Sequence, residues 1–150
     1  MDRHQIHITK TAQETAALGE ALGHTLTAGE GDKIGKPRVY CLYGDLGSGK
    51  TTFVQGFAKG LGINNRLLSP TFIIVRHYHV PESNRILHHV DLYRLHTQGE
   101  VQQMGLSELL SDPHAVVMIE WPQRMNGVPA DSVSIRFSVE TDGDHRIEIS

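Results

Sequence analysis

The chain has 150 residues, 39% hydrophobic and 21% charged, enough for one well-buried core and too few for a second. That composition excludes wholesale disorder, and no run approaches the roughly 18 apolar residues that a membrane span needs. A net charge of −3 with no block of Lys or Arg argues against a direct grip on DNA or RNA, so any nucleic acid is expected on a partner.

Met1 to Gln5 lack the apolar core of a signal peptide, and the one cysteine, Cys41, lies in a predicted core strand. Both features suit a reducing cytoplasm and a single domain over 1–150. Residues 5–9 alternate and predict a short strand. Thr11-Ala12-Gln13-Glu14 is a capping-box pattern, opening a helix that carries Ala17, Leu18, Ala21 and Leu22 inward and ends between Gly23 and Ala28. An exposed Gly-rich loop over 29–37 leads into Val39 to Tyr43, a short β-rich apolar run that predicts a buried strand.

The segment Gly44-Asp45-Leu46-Gly47-Ser48-Gly49-Lys50-Thr51-Thr52 follows at once. Beyond it, Phe53, Val54, Phe57 and Leu61 share one helical face, and Gly62 sits where a helix C-cap belongs. Strand, glycine loop and helix together give the context of a phosphate-binding loop. Glycines let successive N–H groups converge on phosphate oxygens, and the helix N-terminus adds partial positive charge. In such a loop Lys50 reaches the β- and γ-phosphates and the Thr51 hydroxyl ligates Mg²⁺. A nucleoside triphosphate is the expected ligand.

Further on, Pro70 holds Ser69 extended in the loop Ser69-Pro70-Thr71-Phe72. Residues 72–80 and 85–92 predict a hairpin, and 98–111 one or two short helices broken at Gly105. Ala115 to Ile119 is a near-continuous apolar run, the pattern of a strand buried on both faces. The tail, 131–140 and 145–149, alternates around Asp142-Gly143 as a second hairpin. The whole predicts an α/β fold of phosphate-loop type, a mixed sheet with helices on both faces.

Hydrolysis needs an acid for the metal and a group to position water. Glu120 ends the apolar run 116–119, and Asp91 ends the more polar 86–90. Glu120 is assigned to Mg²⁺ and Asp91 to the water on the γ-phosphate side, the reverse remaining open. Thr71 is either a switch residue sensing the γ-phosphate or a turn threonine. Trp121 is either core or an aromatic wall beside the nucleotide. Arg76, Arg94 and Arg124 are candidates for transition-state charge. His77, His79, His88 and His89 raise a zinc site, although adjacent His88 and His89 point to opposite faces.

The motifs GDLGSGKTT, SPTF, HHVDLYRL and IEWPQR, in this order, resemble the TsaE family over nearly the whole chain. The resemblance implies a small ATPase that binds ATP or ADP with Mg²⁺ in the making of threonylcarbamoyladenosine in tRNA. It implies TsaD and TsaB as partners, with tRNA reached through them. It also implies Thr51 and Glu120 as metal positions, Asp91 as a residue needed for activity and Thr71 as a switch threonine. Trp121 is then expected at the nucleotide, and the segment Thr11 to Thr15 near its base. Gln123, where acidic residues are frequent, and a short C-terminal tail depart from the family pattern. Competing functions are a small-metabolite kinase, a GTP switch, for which an Asn-Lys-x-Asp motif is absent, and a non-hydrolysing ATP sensor.

Overall fold

The computed structural model describes residues 4–27, 38–65 and 75–150. Seven strands form one sheet: β1 (Gln5–Thr9), β2 (Arg38–Tyr43), β3 (Val75–His79), β4 (Ile86–Asp91), β5 (Ala115–Glu120), β6 (Val133–Val139) and β7 (His145–Ile149). Their spatial order is β1-β7-β6-β2-β5-β4-β3. The central four, β6, β2, β5 and β4, run parallel; the hairpin partner β3 closes one edge antiparallel to β4, and β7 followed by β1, both added antiparallel, close the other. All six residues of β5 are buried, as its apolar run requires of a strand covered on both faces.

Helices α1 (Ala12–Thr27) and α2 (Lys50–Gly60) cover one face, where Phe53, Val54 and Phe57 pack on Tyr40, Leu42, Leu87 and Met118. Helices α3 (Gln98–Gln103) and α4 (Leu106–Ser111) cover the other, enclosing Val39, Cys41, Val90, Val117 and Ile119 with Val101 and Leu106. Gly105, at φ 75°, turns the chain between the two short helices as predicted. Among the described residues no helix is long and apolar enough to cross a membrane.

Local chemistry sets the helix ends. Glu14 N–H donates to Thr11 Oγ1 and Thr11 N–H donates back to Glu14 Oε2, both at 3.1 Å, the reciprocal box expected at the start of α1. At the other end of α2, Ile63 N–H bonds to Ala58 O and Gly62 N–H to Lys59 O, a Schellman closure that uses the positive φ of Gly62.

The inward face of α1 matches expectation only in part. Leu18 and Leu22 pack against the core from half-buried positions as expected, but Ala17 and Ala21 are exposed, and Thr15, Gly19, Gly23 and Leu26 take the buried positions. The cause is contact between the backbones of α1 and α2. A Cβ at Gly19 would lie 2.2 Å from Phe53 O, and one at Gly23 would lie 2.2 Å from Phe57 O. Hydrophobic periodicity ranks Ala and Leu above Gly and so selects the neighbouring stripe.

Candidate functional site

The loop between β2 and α2 leaves the C-terminal edge of the parallel strands, the edge where α/β sheets hold ligands. Gly44, Gly47 and Gly49 have φ of 152°, 78° and 104°. A side chain at Gly44 would meet Ser48 Oγ at 2.7 Å and Phe137 O at 2.8 Å, so position 44 takes no Cβ. Ser48 is buried and its N–H bonds to Asp45 O at 3.2 Å; Asp45 and Leu46 are exposed on the loop's outer side.

Lys50 opens α2 and is 5% exposed. Its ammonium donates to Gly44 O and lies 4.4 Å from the centroid of the Trp121 ring. Burial lowers its pKa; the carboxylates of Glu120, Asp91 and Asp45 oppose that shift. Trp121 holds this place through an αL backbone at φ 59°, uncommon for a bulky residue, with the 3₁₀ turn Pro122–Arg124 following. The Tyr93 ring packs 5.0 Å from the indole, and the Arg124 guanidinium lies 6.0 Å from it.

Parallel pairing of β4 and β5 sets Asp91 opposite Glu120, and pairing of β2 with β5 sets Leu42 opposite Glu120. Both acids therefore end their strands beside the glycine loop. Glu120 is buried, and its Oε2 accepts from His89 Nε2 at 2.6 Å. Asp91 is half-buried and its Oδ1 accepts the Tyr93 N–H at 2.9 Å. Burial raises the Asp91 pKa and Glu120 adds to the rise, against the Tyr93 N–H, His89 and Lys50.

One cleft of about 380 Å³ gathers these groups, within the size range of small-molecule sites. Thr11, Leu46, Gly47, Gly49, Lys50, Thr51, Thr52, Asp91, Glu120 and Trp121 all line it. Gly44 and Ser48 shape its loop from behind. Thr71 lies outside the described residues.

The family model for "Threonylcarbamoyl adenosine biosynthesis protein TsaE" matches residues 9–147. The chain belongs to the TsaE family. TsaE proteins of Nostoc sp. and Treponema pallidum are 39% and 34% identical to it, over 92% and 95% of this chain and 80% and 98% of theirs. The crystal structure of Bacillus subtilis YdiB superposes with a TM-score of 0.72 at 25% identity, covering 99% of this chain and 86% of that one. TsaE is a family of threonylcarbamoyladenosine biosynthesis.

Two site residues of this TsaE-family chain escape its sequence pattern. His145, the first residue of β7, reaches the glycine loop, where Nδ1 donates to Ser48 O at 2.8 Å. It pairs in register with Thr9, whose hydroxyl bonds to Thr15 at 2.7 Å, so the β1–β7 edge holds the start of α1 against the loop. The other is His89, set beneath Glu120 by a strand pairing that no local periodicity encodes. Of the candidate zinc group, His77 and His88 do meet, Nδ1 to Nδ1 at 2.6 Å, while His89 turns to the opposite face. Among the described residues no three His, Cys, Asp or Glu side chains group as a metal site.

Proposed function

We propose that this chain is the Mg²⁺-dependent ATP-binding and hydrolysing member of the threonylcarbamoyladenosine machinery, a cytoplasmic protein acting on a TsaD–TsaB complex that holds the tRNA. The observation that carries the reading is the convergence in one cleft of Leu46, Gly47 and Gly49 to Thr52 of the glycine loop with Asp91, Glu120 and Trp121. Family membership supports the pathway. The hydrolytic role rests on the site.

The Thr51 hydroxyl and the Glu120 carboxylate are hard oxygen donors of the kind magnesium takes beside nucleotide phosphates. When bound, the metal would neutralise charge on the β- and γ-phosphates. Lys50 would exchange its bond to Gly44 O for phosphate oxygens, and loop amides would cradle the phosphates beside it. Trp121, Thr11 and Thr15 line the same cleft, and the family resemblance assigns the segment Thr11 to Thr15 to the base. Asp91 orients or deprotonates the attacking water, with Thr71 proposed as the switch residue. Turnover is slow alone and faster with partners that complete the site, as arginine fingers do in trans. Phosphate release from ATP without an added acceptor, with and without TsaB and TsaD, tests this. Release only onto an added metabolite would favour a kinase, and equal rates with and without the partners would remove their role.

Two predictions follow from single groups. His145→Ala releases Ser48 O and should weaken ADP binding about 3–10-fold, the worth of one hydrogen bond, as read by calorimetry. Asp91→Asn should lower turnover by about 100-fold or more while raising the melting temperature of the nucleotide-free protein at neutral pH. The sign follows from the raised Asp91 pKa. The folded chain holds that proton more tightly than the unfolded one, so the contribution to stability is present below about 3.8 and is lost as pH rises through the folded value. The gap between parent and variant should therefore close as melting is followed down towards pH 4. A variant that melts lower than the parent at pH 7 contradicts this account.

A further inference from the structure

We propose that His89 is the positioning residue for Glu120, an inference that rests on the metal-side reading of Glu120 given above. Side chains alternate along a strand, so His89 shares a face of β4 with Asp91, one pleat further from the cleft. The register places His89 opposite Met118 and Asp91 opposite Glu120, and the imidazole crosses diagonally to the glutamate. The His89 side chain is 1% exposed and that of Glu120 is 6% exposed. Water therefore has little access to orient this carboxylate.

The bond at 2.6 Å is the hydrogen bond recorded for the Glu120 carboxylate among the described residues. An ionised carboxylate only accepts, so the proton of this bond belongs on Nε2; among the described residues the buried Nδ1 has no partner, and an Nδ1–H there would be a donor with nothing to give to. The imidazole thus donates to Oε2 and fixes the carboxylate plane. That leaves the other carboxylate oxygen, Oε1, for a cation in the cleft that Glu120 lines. Without the donor, a buried carboxylate of this kind has no fixed rotamer, and a metal would have to order it on binding. Outer partners of metal-holding groups act in this way, and their loss costs about 10–100-fold in metal affinity.

The test uses the full chain and Trp121, its only tryptophan, whose ring lies in the cleft. Magnesium chloride is titrated into the ADP complex and the fluorescence midpoint read; ADP affinity is measured separately in EDTA. His89→Leu, apolar and without a donor, should raise the magnesium midpoint about 10-fold or more and leave metal-free ADP affinity within about twofold. His89→Gln, whose amide reaches as far as Nε2, should restore most of the parent's midpoint. An unshifted midpoint in folded His89→Leu overturns the inference, as does an equal loss of metal-free ADP binding or a Gln variant shifted as far as the Leu variant. Should His89→Leu not fold, His89→Asn, polar but too short to reach Oε2, must show the same shift, and an unshifted midpoint there also overturns it. Glu120→Gln is run in parallel. If that variant leaves the magnesium response unchanged, the metal-side reading of Glu120 fails; if it shifts while His89→Leu does not, only the role of His89 fails.

Discussion

Lys50→Met should reduce ATP turnover by about 10²–10³-fold and remove detectable ADP binding, with the fold intact. The ammonium is the charged donor at the mouth of the glycine loop, at the first position of α2, where the helix N-terminus already favours an anion. It is held there by one carbonyl, Gly44 O, and by the indole of Trp121. Burial has lowered its pKa, so the folded chain without ligand holds that proton less tightly than the unfolded one and gains stability as pH rises through the folded value towards 10.5. Near neutral pH, removing the charge should therefore leave the melting temperature of the nucleotide-free protein at or above the parent's. Methionine keeps an unbranched apolar stem of similar length without the charge that lies over Trp121. Calorimetry, phosphate release and circular dichroism on one preparation decide the matter. Turnover within tenfold of the parent would deny Lys50 its place at the phosphates, and a lower melting temperature would make the residue structural.

The chemistry of the site is legible in the chain wherever residues adjacent in sequence remain adjacent in space. The loop 44–52 is such a case, because strand, glycines and helix follow one another without interruption. The apolar run 115–119 is another, since burial on both faces leaves a signature within the strand itself. Legibility ends where partners meet across the sheet. That His89 meets Glu120, or that His145 meets Ser48, depends on the order β1-β7-β6-β2-β5-β4-β3 and its register. Neither is written in a local period. Trp121 stands between these cases: its neighbour Glu120 pointed to the cleft, but only its αL backbone explains how the indole turns over Lys50. On α1, Leu18 and Leu22 meet the core as their spacing predicts, and Ala17 and Ala21 do not, for a different reason. Burial there follows how closely two backbones approach, and glycine, which scores poorly as a core residue, is what allows it.

That approach leads to the largest expected effect on stability. Gly56→Ala should destabilise the protein by about 3 kcal/mol or more, although alanine is the better helix former by about 1 kcal/mol. The added Cβ would lie 1.9 Å from Ala16 O and 2.7 Å from Ala16 C, both backbone atoms of α1 that no rotamer change can move. Gly60 is constrained in the same way, with Glu20 O at 2.2 Å from its Cβ position. Relief requires the helices to separate, and that loosens Phe53 and Phe57 from the core they share with Tyr40 and Leu42. For a chain of this size the loss corresponds to a fall in melting temperature of about 6–12 °C. The site moves with it, because Thr11, which caps α1, Thr15 of α1 and Lys50 of α2 all line one cleft. Gly62→Ala is the control: nothing lies within 4 Å of its Cβ position, and its φ of 88° leaves only a backbone cost of about 1–2 kcal/mol. If Gly56→Ala melts no lower than Gly62→Ala, the helices yield more readily than their contact implies, and the packing of α1 on α2 does not hold the two halves of the cleft in register.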